Sequence, residues 1–158
     1  MMGIKRSAHQ QRIDTMMGLM GQDVPKMPTE PDEETRILRA RLIMEEAFET
    51  IEKGLGLSVA VYADAGETID MDDLEFYVTD HFDMIELADG CADLSVVTIG
   101  TLSACGIDDS PLLKAVDQNN LEKFSGDGHR DEHGKWIKPT DHQPPNIEAI
   151  LELQKAQR

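Results

Sequence analysis

The sequence predicts an all-α fold of about four to five helices and allows a short hairpin between the second and third helices. Apolar residues recur at the three- and four-residue spacing of a helix, and glycine and proline interrupt that spacing. Hydrophobic residues make up 40% of the chain and aromatic residues only 4%, which indicates an aliphatic, methionine-rich core. A length of 158 residues suits one domain. We therefore expect a single domain over residues 1–158.

The first two helices are separated by a proline-rich segment. The first helix is predicted from an apolar stripe that stops near residue 20, made of Ile13, Met16, Met17 and Met20. Three prolines within residues 25–31 then indicate an extended linker. Thr29 and Asp32, with Pro31 in the first turn, form a helix-start signal. The second helix is predicted over residues 30–53.

The segment after the second helix is less regular. Residues 55–80 alternate only loosely between apolar and polar side chains, which predicts a short hairpin or an irregular excursion. The third helix is expected to follow, with Asp80 or Thr79 as its cap and a length of about 24 residues.

Two shorter helices complete the predicted fold. Ser110 followed by Pro111 opens a fourth helix. Residues 126–145 then predict a polar loop. Asn146 is the expected cap of a last helix.

The chain is strongly acidic, which excludes some classes of partner. It has 15 Lys and Arg residues against 31 Asp and Glu residues, a formal net charge of −16. This charge opposes binding to nucleic acid or to an anionic membrane, so neither is expected as a partner. The sequence shows no apolar leader, and Cys91 and Cys105 lie in apolar helical surroundings, so we expect a protein of the reducing cytoplasm. The spacing of the two cysteines also disfavours a structural zinc site.

Carboxylates crowd one sector of the second predicted helix. Glu45 and Glu49 are four residues apart, and Glu46 and Glu49 are three apart. Like charges at this spacing destabilise a helix. The three glutamates are therefore expected to have a role other than stabilising their own helix.

A second group of carboxylates interrupts the third predicted helix. Glu86, Asp89 and Asp93 follow one another at three- and four-residue spacing. The helix has hardly any basic residue to pair with them, and its apolar residues lie on nearly every side. We expect these acids to lie near a buried interface.

Closely spaced, partly buried carboxylates need a compensating cation. Two of them about 4 Å apart repel by about 4 kcal/mol at an effective dielectric constant near 20. Donor sets made only of oxygen favour Mg²⁺, or Mn²⁺ in its place, over zinc. Mg²⁺ on carboxylates in turn suits chemistry at phosphates. The alternative is that both groups are solvated faces of a non-catalytic acidic helical interaction protein.

The two acidic motifs resemble a known family pattern. EExxE on one long helix and ExxD on the next is similar to the all-α nucleoside triphosphate pyrophosphohydrolases, the MazG-like superfamily that includes dimeric dUTPases and phosphoribosyl-ATP pyrophosphohydrolase. Three further segments share the resemblance: ELADGCADLSVVTIGTLSACGID, NLEKF and GHRDEHGKWIKP. The resemblance covers most of the chain and implies a MazG-like helical bundle. Residues 55–80 look like an insertion relative to the shortest members.

The resemblance also implies an activity. Such proteins hydrolyse a (deoxy)nucleoside triphosphate to the monophosphate and pyrophosphate with Mg²⁺, by attack of water on the α-phosphorus. The implied ligands are Glu45, Glu46, Glu49, Glu86 and Asp89. Glu46 or its neighbour Glu45, with Glu46 preferred, would orient or deprotonate the water. The implied assembly is a homodimer or homotetramer.

The substrate class stays open between two groups within this superfamily. One is a nucleoside triphosphate in nucleotide-pool control, in a phage or a cell, with dGTP and dUTP as candidates. The other is a specialised substrate of the phosphoribosyl-ATP type. No motif encodes the choice of base or sugar.

Further residues are candidates for binding the nucleotide. Asn120 and Lys123 lie one helical turn apart, so both can reach a phosphate. Arg130, Lys135 and Lys138 supply positive charge in a strongly acidic chain, although solvated loop charges are the alternative.

Three more side chains are candidates for the sugar or base. Asp93 is expected to bind a hydroxyl or the base, the alternative being an ion pair with a lysine. Met17 and Trp136 could shape a base pocket, although a methionine stripe at helical spacing is also typical of a core.

Overall fold

A computed structural model describes residues 6–79 and 81–157. Within these residues the chain is mostly helical and has a short antiparallel hairpin after the second helix, which confirms the predicted fold class. The five α-helices are α1 (Ala8–Leu19), α2 (Glu33–Glu49), α3 (Met84–Ala104), α4 (Asp109–Glu122) and α5 (Ile147–Ala156). The strands are β1 (Leu57–Val61), β2 (Leu74–Val78), β3 (His129–Arg130) and β4 (Trp136–Ile137).

The chain divides into two compact units. The first lies within Met1–Glu30 and Leu102–Arg158, and the second within Pro31–Thr101. Helix α3 therefore begins in the second unit and ends in the first. That residues 1–158 act as one domain stays a prediction.

Helix α1 is anchored in the first unit by buried polar contacts. The Ser7 side chain accepts a hydrogen bond from the Gln10 backbone N–H at 3.0 Å and caps the helix. The buried Gln10 amide donates to the Ser103 hydroxyl oxygen at 3.1 Å and to the Ile107 carbonyl at 2.8 Å. Ile13 is buried on the same helix. The helix ends at Leu19, close to the predicted end near residue 20.

Two buried aspartates join the start of α4 to its neighbours. Asp108 accepts from the Arg6 Nε at 2.9 Å, and its backbone N–H donates to the Gln154 side chain at 2.9 Å. Asp109 accepts from the Ser7 backbone N–H at 2.8 Å and from the Ser7 hydroxyl. Both carboxylates thus accept hydrogen bonds inside the first unit. Helix α4 begins at Asp109, one residue before the predicted opening at Ser110.

The polar loop predicted after α4 contains a small hairpin instead. His129 pairs with Ile137, and Arg130 with Trp136. The turn is held by Asp131, whose carboxylate accepts the backbone N–H groups of residues 133 and 135 at 3.0 and 2.8 Å. Such side-chain capping gives order to a polar segment that has no apolar periodicity. Asn146 then caps α5 by accepting from the Ala149 N–H at 2.9 Å, as predicted.

Helix α2 begins later than predicted. Asp32, not Thr29, is its N-cap and accepts from the Thr35 N–H at 2.8 Å. Thr29 is tied elsewhere, because its backbone N–H donates to the Cys105 carbonyl at 2.9 Å. The α-helical hydrogen bonding stops at Glu49, and a π-helical turn, Thr50–Gly54, completes the predicted length.

The loosely patterned segment after this turn is an antiparallel hairpin. Strand β1 pairs with β2 from Leu57 opposite Val78 to Val61 opposite Leu74. Thr79 is not the cap of α3, since its backbone N–H and its hydroxyl both donate to the Gly56 carbonyl at 2.7 Å.

The cap of α3 lies closer to the helix than predicted. The Asp83 carboxylate accepts from the N–H groups of Ile85 and Glu86 at 2.8 and 3.2 Å. The alternative cap Asp80 lies outside the described residues. Helix α3 has 21 residues rather than about 24.

Within residues 6–79 and 81–157, no single helix is both long enough and apolar enough to cross a membrane. One consecutive pair, α3 with α4, passes that test jointly by length and composition but is sharply bent at its break.

Candidate active site

The π-helical turn Thr50–Gly54 at the end of α2 packs closely against α3 in the second unit because two glycines leave room for the facing backbone. A Cβ atom on Gly54 would lie 2.6 Å from the Leu87 Cα, so only glycine fits there. A Cβ atom on Gly90 would lie 3.1 Å from the Thr50 Cα and closer still to its hydroxyl. Residues 50 and 54 thus face residues 90 and 87, so the π-turn and α3 run antiparallel where they meet.

This pairing brings the two acidic motifs together. Glu46 lies one turn before Thr50, and the Thr50 hydroxyl donates to the Glu46 carbonyl at 2.7 Å. Asp93 lies one turn after Gly90 on the facing helix, within electrostatic reach of Glu46. The sequence pattern predicts each acidic motif separately. The contacts at Gly54 and Gly90 show how the segments that carry the two motifs pack together.

The π-helical turn ends the acidic stretch of α2. The Leu55 N–H donates to the Thr50 carbonyl at 3.0 Å, five residues back. Single π-turns within helices are rare and frequently lie at functional sites. This turn places Gly54 against α3 directly after the acidic motif.

The acids differ in exposure. Glu46 is half-buried, and the other five carboxylates are exposed in the described chain: Glu45, Glu49, Glu86, Asp89 and Asp93. The expectation that the α3 acids lie near a buried interface is therefore not met within the single chain. Of the apolar residues around them, Met84 and Ile85 are exposed as well, at 65% and 79%, whereas Leu87 and Leu94 are half-buried.

The cluster carries unbalanced negative charge. The pKa of the Glu46 carboxyl is raised, first by partial burial and then by neighbouring carboxylates, those of Asp93, Glu49 and Glu45. The charge of Lys53 offsets this only in part. A carboxylate whose pKa is raised by neighbouring carboxylates favours a bound cation beside it.

A basic side chain enters the cluster from the π-turn. The Lys53 Nζ lies 2.7 Å from the Glu49 Oε2. The same ammonium group interacts electrostatically with Glu86 on α3 and with Glu46. The signal for Lys53 in the sequence is its four-residue spacing from Glu49, the usual spacing of a helical ion pair, and Lys53 is not among the site residues predicted above.

The donor chemistry of the cluster fits Mg²⁺, since every donor is a carboxylate oxygen. Across residues 6–79 and 81–157, no three acidic, histidine or cysteine side chains already stand at the mutual distances of a metal site. Exposed carboxylates can rotate toward an ion. The Glu49 carboxylate pairs with Lys53 and would have to leave the lysine, or be shared with it, to bind the ion. The predicted ligand set thus remains a proposal supported by donor type and by the helix crossing.

Asn120 and Lys123 lie in the first unit and touch each other. The Lys123 Nζ donates to the Asn120 Oδ1 at 2.5 Å, as their spacing of one helical turn predicts. The Trp136 indole donates to the Lys123 carbonyl and packs on Phe124, with ring centroids 4.9 Å apart. Trp136 therefore fixes the β3–β4 hairpin to the end of α4.

The remaining candidates also belong to the first unit. Arg130 donates to the Gly134 carbonyl at 3.0 Å within the hairpin, while Lys135 and Lys138 are exposed. Met17 is only 1% exposed, which supports the core interpretation of the methionine stripe and removes it from our proposal.

Comparison with protein families identifies the chain. The sequence model of phosphoribosyl-ATP pyrophosphohydrolase matches residues 13–120. The chain belongs to the phosphoribosyl-ATP pyrophosphohydrolase family. This family is a member of the all-α MazG-like superfamily, as the resemblance of the acidic motifs indicated. The match spans both acidic motifs and ends at Asn120, so Lys123 and the C-terminal hairpin lie beyond it. Comparison with curated proteins gave no match.

Family membership establishes the general chemistry. Members are pyrophosphohydrolases, which act on phosphoanhydrides, and they are generally Mg²⁺-dependent. A nucleotide triphosphate substrate follows from the family as well.

Proposed function

We propose that this chain hydrolyses a (deoxy)nucleoside triphosphate to the monophosphate and pyrophosphate at the α2–α3 acidic cluster. The observation that carries the proposal is the crossing at Gly54 and Gly90, which brings two carboxylate motifs together with too little positive charge to balance them. The family match supports the reaction class.

The carboxylates of both helices would hold Mg²⁺, with Mn²⁺ as a substitute. The proposed ligands are Glu45, Glu46, Glu49, Glu86 and Asp89. When bound, the ion neutralises charge on the phosphate oxygens and lowers the pKa of a coordinated water.

Glu46 is the preferred group to orient and deprotonate the attacking water. It is the half-buried member of the cluster, whereas its neighbour Glu45 is exposed, and the pKa of Glu46 is raised by that partial burial and by nearby carboxylates. A raised pKa makes a carboxylate a better proton acceptor in general-base catalysis. The water would attack the α-phosphorus, and pyrophosphate would leave.

Substrate contacts are proposed for residues outside the metal ligands. Asp93 would accept a hydrogen bond from a sugar hydroxyl or from the base. Phosphate contacts are proposed for Asn120, Lys123, Arg130, Lys135 and Lys138. Trp136 is a candidate for contact with the base, although much of its ring already packs against Phe124.

The identity of the nucleotide has two candidates. One is a nucleotide-pool substrate such as dGTP or dUTP. The second is a phosphoribosyl-ATP-type substrate, and it is favoured by the description of the matching family itself. Both release pyrophosphate, so the chemistry at the acidic cluster is the same.

We also propose that the chain forms a homodimer or homotetramer. Large apolar side chains are exposed where the hairpin leads into α3, including Val78 at 85%, Met84 at 65% and Ile85 at 79%. Exposed apolar residues grouped in this way are typical of protein interfaces. Light scattering coupled to size exclusion is expected to give two or four chains per particle. A monomer at micromolar concentration would contradict the assembly.

The function is tested by product analysis. The purified chain is incubated with Mg²⁺ and each of the common ribo- and deoxynucleoside triphosphates, dUTP and phosphoribosyl-ATP, and the products are separated by ion exchange. We expect monophosphate and pyrophosphate in equal amounts from one or a few substrates. Diphosphate with phosphate would contradict attack on the α-phosphorus. No turnover with either Mg²⁺ or Mn²⁺ would favour the non-catalytic interaction protein instead.

A further inference from the structure

Lys53 occupies an unusual place for a basic residue in this chain. It lies in the π-helical turn directly after the acidic motif of α2. Its ammonium group lies 2.7 Å from the Glu49 carboxylate and within electrostatic reach of Glu86 on the facing helix. One cation therefore interacts with carboxylates of both acidic motifs.

The setting of this ion pair differs from that of an ordinary surface pair. Lys155 and Glu152 on α5 form a comparable pair at 2.8 Å, with similarly exposed side chains. There the lysine stabilises one exposed carboxylate, and such pairs contribute little. Lys53 instead faces a cluster whose members repel one another, so its charge acts on several carboxylates at once.

We propose that Lys53 is a resident counter-cation of the acidic cluster, which pairs with Glu49 and competes with the divalent ion for that carboxylate. The inference rests on the proposed function, because it takes Glu49 and Glu86 as metal ligands. A divalent ion that binds Glu49 must displace the ammonium group or share the carboxylate with it. Either way, the lysine charge weakens binding of the ion.

Competition between Lys53 and the metal ion for Glu49 would affect binding of the nucleotide phosphates. An ammonium group released from Glu49 is positioned beside the cluster, where it can pair with a polyphosphate. Lys53 is then a positioning residue, and it links occupation of the metal site to the local positive charge. The metal affinity measured without nucleotide reports only on the competition for Glu49, and not on the pairing of Lys53 with phosphate.

The test compares the Mg²⁺ dissociation constants of three variants with that of the wild type. Isothermal titration of the full-length, nucleotide-free chain measures binding without relying on activity. Lys53→Met removes the cation, Lys53→Arg retains it, and Lys155→Met makes the same change in net charge at the matched pair on α5. Far-UV circular dichroism verifies that each variant is folded.

We expect Lys53→Met to bind Mg²⁺ about fivefold more tightly than the wild type. This is the effect on affinity expected from removing one solvent-screened positive charge a few ångströms from the ion. Lys53→Arg and Lys155→Met are expected to stay within about twofold of the wild type. Unchanged or weaker binding in Lys53→Met, with binding intact in the wild type, would overturn the role of Lys53 and leave the proposed function standing. If the wild type and Lys53→Met both fail to bind Mg²⁺ or Mn²⁺, the proposed ligand set is wrong and the role of Lys53 is wrong with it.

Discussion

The two units of this chain use carboxylates in opposite ways. In the first unit, Asp108 and Asp109 are 2% and 1% exposed and receive hydrogen bonds from neighbouring segments. In the second unit, Asp93 on α3 interacts electrostatically with Glu46 on α2, and the charge of Lys53 offsets the effect of the neighbouring carboxylates on Glu46 only in part. A carboxylate surrounded by hydrogen-bond donors has a structural role, whereas a carboxylate surrounded by other carboxylates is a candidate ligand for a cation.

The largest predicted effect on stability lies in the first unit. Asp108→Ala removes one of the two carboxylates that pair with the Arg6 guanidinium, whose side chain is only 11% exposed, while Asp14 at 2.7 Å remains. Losing such a charge-assisted hydrogen bond costs about 1.5–3 kcal/mol. Urea unfolding measures this loss, and Mg²⁺ does not restore it. Asp117→Ala, an exposed aspartate on the same helix, is the control and is expected to change stability by less than about 0.5 kcal/mol. Equal effects of the two variants would contradict a structural role for Asp108.

The helix crossing in the second unit is tested by adding one methyl group. Gly54→Ala places a Cβ atom against the Leu87 backbone and is expected to cost about 1–3 kcal/mol. It should also weaken Mg²⁺ binding, because the two motifs move apart. Gly18→Ala on α1 meets nothing within 4 Å and should stabilise the chain by about 0.5–1 kcal/mol. If Gly54→Ala kept the Mg²⁺ affinity of the wild type, the crossing would not be what assembles the site.

Neutralising a carboxylate should have opposite effects on stability in the two units. Glu46→Gln removes repulsion within the cluster, so we expect the metal-free chain to gain up to about 0.5 kcal/mol while turnover falls about 10²-fold or more. Thermal unfolding without metal and pyrophosphate release with Mg²⁺ measure the two effects. A loss of stability, as in Asp108→Ala, would place Glu46 among the structural carboxylates.

The smallest effect concerns an exposed carboxylate of the first unit. The Thr140 hydroxyl donates to Asp127 at 2.6 Å and its N–H at 3.0 Å, and these bonds hold the pKa of Asp127 below its ordinary value. The stabilisation is therefore present above the ordinary aspartate pKa and is lost as the pH falls through the lowered one. Thr140→Val should raise the pKa of Asp127, as measured by carboxyl NMR titration. An unchanged titration would show that the hydroxyl is not a donor in solution.

Much of the helical fold could be predicted from local patterns. Apolar spacing located α1 and α2, and Asn146 was recognised as a cap because capping depends on a few neighbouring residues. The caps of α2 and α3 were misplaced by a few residues. Several acidic or hydroxyl side chains precede each helix, and tertiary contacts decide which one caps it. Thr79, for example, is engaged by Gly56.

The features that could not be predicted from local sequence patterns depend on contacts between residues far apart in the sequence. The π-turn at Thr50–Gly54 exists where the chain packs against Leu87. Asp109 resembles an ordinary exposed helix-start residue until α1 brings Ser7 against it. Both acidic motifs were found from spacing, but only the structure shows that Lys53 joins them. The roles of the candidate phosphate-binding residues beyond α4 stay predictions.

The most direct test of the account is Mg²⁺-dependent pyrophosphate release by Asp89→Asn, measured against Asp64→Asn. Both variants remove one exposed carboxylate charge from the second unit, but only Asp89 lies in the acidic cluster. We expect Asp64→Asn to match the wild type at every Mg²⁺ concentration, and Asp89→Asn to need far more Mg²⁺ and to turn over at least about 10²-fold more slowly. Equal rates and equal Mg²⁺ dependence in the two variants would contradict the claim that the α2–α3 carboxylates form the hydrolytic site.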